Sequence, residues 1–146
     1  SLGYLLGDEG SGACMGKQLL IDYFQGIIPA DIREIFIQQF KPTVETILDA
    51  LYNQPRPNRF LASFSPFILA NIHHSYMKEL VTKCFDDFFR INVSKYSNYK
   101  SVNVNFLGSV AFYFRDILQE SAERAGIKTN KIYRSAIDGL IGFHAN

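Results

Sequence analysis

The sequence predicts a helix-rich α/β domain with few strands, and three observations carry that prediction. At 146 residues the chain is long enough for one ordinary domain with its own core. Apolar residues make up 47% of it and aromatic residues 14%, a globular composition rather than a disordered one. Most of the middle repeats its apolar residues at helical spacing, whereas the late stretch SVNVNF (101–106) alternates with the period of a strand.

The first distinctive element is the loop GDEGSG, Gly7 to Gly12. Glycine-rich loops often cradle phosphate through bare backbone N–H groups. Two fixed carboxylates, Asp8 and Glu9, would repel such an anion, and Ala13-Cys14 follow where a phosphate loop needs Lys-Ser or Lys-Thr. A carboxylate held by tight turns suits sugar hydroxyls or a hydrated cation. The plain alternative is a turn at Gly7 and Gly10, with Asp8 or Ser11 capping the next helix.

That helix is ACMGKQLLIDYFQG, with Cys14, Leu19, Leu20, Tyr23 and Phe24 on one face and Gly26 as C-cap. Its positive N-terminal end helps keep Asp8 and Glu9 ionised. IIPADIREIFIQQF reads as a helix opening at Pro29, with Ile32, Ile35, Phe36 and Phe40 as its stripe. Pro42 stops it, and TVETILDALY follows with Val44, Ile47, Leu48 and Leu51 inside. NQPRPNR is a polar connection, and Pro66 in FLASFSPFILANI marks another helix start. HHSYMKELVTKCFDDFFRINVSKY is the longest periodic segment, its buried face predicted as Tyr76, Leu80, Cys84, Phe88 and Ile91. In SVNVNF, Val102, Val104 and Phe106 face in and Ser101, Asn103 and Asn105 face out. Gly108-Ser109 ends this strand and opens a helix over roughly Val110 to Ala125, closed by Gly126. KTNKIYR reads as a short strand and SAIDGLIGFHAN as a tail.

Charge and cysteine usage narrow the function classes. The net charge of +1 argues for no nucleic-acid or membrane partner, and the apolar runs are too short to span a bilayer. Cys14 and Cys84 read as buried thiols of a cytoplasmic protein. His73 and His74 are adjacent and so point apart on a helix, which suits a surface role at a helix N-terminus rather than a two-histidine metal face. His144 has no obvious partner. Asp86-Asp87 and Asp116, Glu120 and Glu123 read as solvated helix faces. The strand–Gly–helix unit at Gly108 is a second candidate site, since ligands bind beyond the carboxyl ends of strands in open α/β sheets; an ordinary strand-to-helix turn is the alternative.

GYLLGDEGSGACMG resembles the segment G-W-G-x-x-x-G-D-E-G-S-[AG] of the N-acetylglucosamine kinases and the related BadF/BadG/BcrA/BcrD-type ATPases. FLGSVAFYF is similar to that family's late G-S-V adenosine-site motif, and SAIDGLIGFH resembles a common C-terminal tail. The family belongs to the actin/hexokinase superfamily of two-lobed ATP-binding proteins. The resemblance implies part of a ribonuclease-H-like lobe with the actin-like ATPase fold. Residues 1–146 would form a single domain, the C-terminal lobe portion. With no initiator Met, the chain is expected to be a piece of a longer protein. The N-terminal lobe, with the phosphate loops and the general base, would lie upstream, leaving no catalytic residue in this chain and an isolated fragment without activity.

Carried over by position, the resemblance implies that Asp8 hydrogen-bonds amino-sugar hydroxyls, with Glu9 and Gly10 in the turn that holds it. Gly108, Ser109 and Val110 match the nucleotide-side turn. ATP and Mg²⁺ are the implied cofactors, an amino sugar the implied small-molecule partner, and a homodimer a further expectation. Leu2 stands where the family has Trp and Ser1 where it has Gly, which removes a stacking face for a sugar ring. Amino-sugar phosphorylation, N-acetylglucosamine first, competes with two alternatives. One is an ATPase that drives change in a partner protein through a cysteine-bound iron–sulfur cluster. The other is a helical interaction domain without catalysis.

Overall fold

The computed structural model of the chain describes residues 2–6, 9–93, 103–135 and 137–138. It gathers into two compact units, one made of Ser1–Ser11 with Val81–Asn146 and the other of Gly12–Leu80. The elements run β1 (Leu2–Leu6), α1 (Glu9–Phe24), α2 (Ala30–Phe40), α3 (Val44–Tyr52), α4 (Pro57–Ala62), α5 (Ser65–Ala70), α6 (Ser75–Phe88), a π-helical turn (Phe89–Val93), β2 (Asn103–Leu107), α7 (Ser109–Tyr113), α8 (Arg115–Arg124) and β3 (Lys128–Tyr133). The helix-rich α/β prediction with few strands holds. No helix among the described residues is long and apolar enough to cross a membrane.

The first unit is built on a three-stranded sheet of order β1-β2-β3. Both pairings are parallel, with Leu2 opposite Asn103 and Leu6 opposite Leu107 in the first. β1 is apolar without alternation, so the sequence reading had no strand there. Between β2 and β3 the register slips from Val104↔Thr129 to Phe106↔Ile132, which sets Asn130 and Lys131 against the single residue Asn105. Such a bulge leaves backbone donors to be satisfied. The Asn105 side chain does it, its Oδ1 accepting from Asn130 Nδ2 at 2.9 Å and from the Lys131 N–H at 3.1 Å. Asn105 is therefore 2% exposed, where period two places it outside. Beneath it Phe106 meets Phe89 edge-on, ring centroids 5.8 Å apart.

The predicted helix from Val110 to Ala125 is two helices. Phe114, buried at φ −106° and ψ 26°, breaks it, and Arg115 Nη1 caps the Phe112 carbonyl at 2.8 Å. Asp86 is not simply solvated either. Its Oδ1 accepts from the Ser121 hydroxyl and, at 2.8 Å, from Arg124 Nη2, tying the end of α6 to α8. Asp116, Glu120 and Glu123 are exposed as expected.

The second unit packs around Phe36, fully buried, with the rings of Tyr23, Phe40, Phe64 and Phe67 at 5.1–5.9 Å. α1 ends as predicted, with Gly26 at φ 72° and the Ile27 N–H closing on the Asp22 carbonyl at 2.9 Å. Leu19 and Leu20 are buried as predicted, but the face is rotated: Met15 is fully buried while Cys14 and Phe24 are exposed. On α2, Ile32 and Phe36 are buried but Ile35 is exposed. α3 opens with a capping box in which Thr43 and Thr46 satisfy one another's backbone N–H groups. Only Ile47 on α3 is buried; Val44 and Leu48 are exposed against expectation. α6 also turns its core face by about one residue, burying Met77, Leu80, Val81, Cys84 and Phe85 and leaving Ile91, in the turn after it, exposed. Apolar residues also stand beside each predicted stripe, such as Met15 on α1 and Val81 and Phe85 on α6, so spacing fixes the helix more closely than its rotation.

Candidate functional site

The two sequence motifs meet through strand register. Leu6 ends β1, Leu107 ends β2, and the two are paired. The acidic loop follows Leu6 directly and Gly108 follows Leu107 directly, so two motifs about a hundred residues apart issue from the same end of neighbouring parallel strands. That end is the carboxyl edge, where open α/β sheets place their ligands.

Each motif opens a helix there. Gly7 and Asp8 lie outside the described residues. Glu9 and Gly10 form the first turn of α1, whose sixteen residues direct a positive helix end toward the loop. Ser11 is already inside α1, so it is not the cap that the plain reading allowed. Gly108 takes φ 128° and ψ 158°, a conformation that side chains with a Cβ rarely enter. It is held there from two sides: its N–H donates to the Tyr133 carbonyl at the end of β3, and its own carbonyl accepts from the Phe112 N–H, both at 3.0 Å. Ser109 is exposed, while Val110 is 7% exposed and belongs to the core. Of the three nucleotide-side candidates, Ser109 alone presents an exposed side chain.

Gly108 itself is buried and both its backbone groups are bonded, so the exposed Ser109 is the part of this turn that a ligand could meet. Among the described residues no group of three His, Cys, Asp or Glu could hold a metal ion.

His74 serves structure. His74 Nδ1 accepts the Tyr76 N–H at 3.1 Å in the first turn of α6, and its Nε2 lies 3.1 Å from Asp31 Oδ2. The Ile32 backbone N–H, ahead of His74, lowers the Asp31 carboxyl below its usual value. His73 is exposed, and His144 and most of the predicted tail lie outside the described residues. Sequence reading missed a cavity of about 380 Å³ lined by Asp86, Phe89, Arg90, Ser121, Arg124, Ala125 and Ile127. No motif marks it, and Arg90 and Arg124 sit in the last turns of helical segments, where cations offset carbonyl dipoles.

No protein-family model matches the chain, and no curated protein does. Among solved structures, the crystal structure of a Porphyromonas gingivalis protein with the provisional name N-acetylglucosamine kinase superposes on it with a TM-score of 0.84, at 36% sequence identity over 92% of this chain. The chain is similar in sequence and fold to that protein over nearly all of its own length. It spans 47% of the length of that kinase-named relative, which fits a C-terminal lobe region. Its helices and small parallel sheet match a fragment of a kinase lobe of the actin-like ATPase fold.

Proposed function

We propose that the parent protein transfers the terminal phosphoryl group of Mg-ATP to an amino sugar, N-acetylglucosamine first, at its 6-hydroxyl. One observation carries this reading: the Leu6↔Leu107 pairing aligns an acidic, sugar-type loop with a glycine turn of nucleotide type. The name of the structural relative supports the same chemistry.

In this reading Asp8 accepts hydrogen bonds from vicinal sugar hydroxyls, each worth about 1.5–3 kcal/mol when the acceptor is charged. Glu9 and Gly10 hold the turn. Gly108 gives the turn its backbone shape, Ser109 contributes its hydroxyl, and Val110 anchors the turn in the core. ATP supplies the phosphoryl group, and Mg²⁺ neutralises its charge. The general base belongs to the other lobe, and closing the lobes over the sugar excludes water. A cytoplasmic location goes with ATP use. The partner-driving ATPase is the weaker alternative, because its cluster needs accessible thiolates and Cys84 is buried.

The test is ADP release by the complete parent protein with Mg-ATP against N-acetylglucosamine, N-acetylmannosamine, glucosamine, glucose and no sugar. Turnover should require an amino sugar and fall at least about 100-fold in Asp8→Ala, the loss of two charged hydrogen bonds. Turnover indifferent to sugar and to Asp8 refutes the reading.

A further inference from the structure

α1 approaches the last turn of α4 more closely than a side chain would allow. A Cβ on Gly16 would lie 1.9 Å from the Leu61 carbonyl oxygen and 2.7 Å from its carbonyl carbon. Both are backbone atoms and cannot swing aside. One turn earlier, a Cβ on Gly12 would lie 3.1 Å from Ala62 Cβ and 3.1 Å from Ser65 Oγ. The contact is therefore graded, impossible at Gly16 and merely tight at Gly12. The Ser65 hydroxyl beside it is buried without a hydrogen-bond partner, so it forms no polar bond to hold the helix. Shape sets the depth of α1. Met15 and Leu19, both fully buried, flank Gly16 and resist rotation of the helix about its axis.

Seven residues upstream α1 begins, at Glu9, about 10 Å along the axis at 1.5 Å per residue. A helix moves as a rod over that distance. Restoring even the closest tolerable contact at Gly16, 3.0 Å in place of 1.9 Å, displaces α1 by about 1 Å, and a misplacement of that size costs about 100-fold where a substrate is held for reaction.

We propose that Gly16 is a positioning residue for the sugar: it sets the depth of α1 and so the place of its first turn, where Glu9 and Gly10 stand. The proposal rests on the function argued above. It predicts a particular asymmetry. The sugar-side residues Glu9 and Gly10 belong to α1, whereas the nucleotide-side turn follows β2. Loss of sugar contacts made before and during reaction appears in KM.

The experiment uses the complete parent protein as Gly16→Ala and Gly12→Ala. Steady-state kinetics with each substrate varied are combined with hydrogen exchange of the α1 amides and thermal midpoints. Gly16→Ala should raise the amino-sugar KM by about tenfold to 100-fold, Gly12→Ala by less, and leave the ATP KM within about twofold. Exchange across α1 should quicken in the same order. A folded Gly16→Ala protein with the wild-type sugar KM, or with both KM values raised alike, overturns the proposal. Should Gly16→Ala fail to fold, Gly12→Ala decides by the same criteria. Should the wild type turn over without any amino sugar, the functional reading falls by itself. Exchange then judges the seating of α1, and unchanged α1 amides in the glycine variants overturn it.

Discussion

Tyr76 donates its hydroxyl to Asp22 Oδ2 at 2.7 Å, and Gln18 Nε2 donates to Asp22 Oδ1 at 2.9 Å. This triad joins α1 to α6 within one unit around a carboxylate that is only 9% exposed. Burial first, then the bond and the charge of Asp22, raise the Tyr76 phenol far above its ordinary value of 10.0. The folded protein thus keeps a proton that the unfolded chain releases, so the triad's contribution is complete below about pH 10 and declines as pH rises from there. Urea midpoints should hold steady up to about pH 10 apart from other groups' titration, then fall. Tyr76→Phe should lose about 1–2 kcal/mol near pH 7 and show a shallower alkaline decline. The sequence placed Tyr76 on a packed face, but Asp22 carries no such mark: one carboxylate on an amphipathic helix looks solvated until its partner, more than fifty residues away, is folded against it.

The strand β2 shows why alternation can name an element and misplace a residue. Val104 and Phe106 are buried as the pattern requires, yet Asn105 is buried between them. Alternation assumes an unbroken ladder, and the bulge opposite Asn105 breaks it. Asn105→Ala should cost about 1–3 kcal/mol by urea unfolding, because the Lys131 N–H loses its acceptor. Asn103→Ala, on the exposed neighbour, should stay within about 0.5 kcal/mol. Helix ends were the more legible part. Gly26 and Pro66 stand where their backbone chemistry put them, at a C-cap and in a first turn. The break at Phe114 carried no glycine or proline to announce it, and β1 carried no alternation.

Across the whole molecule, the fold class could be read from composition, the helical middle and the late alternation, and the two candidate motifs from the flanking parts of the chain, whereas the middle gave no chemistry. Their convergence could not be read. It depends on the pairing of Leu6 with Leu107, a long-range fact that no local pattern encodes. The chain matches 47% of its structural relative's length, and phosphoryl transfer needs its phosphate-binding parts and general base assembled around the substrate. The 146-residue chain by itself should release no ADP above background with Mg-ATP and N-acetylglucosamine, and adding the rest of the parent in one polypeptide should restore turnover.

The same pairing has a consequence for how the protein is made. Leu2 opposes Asn103, so a translating ribosome delivers β1 about a hundred residues before its partner strand. At ~5–20 residues per second β1 waits about 5–20 s with its edge open, far longer than the Gly12–Leu80 unit needs to form its local helices. Within this stretch the local helices of Gly12–Leu80 can therefore form first, and the apolar Leu-Gly-Tyr-Leu-Leu segment lacks its β2 partner until that strand emerges.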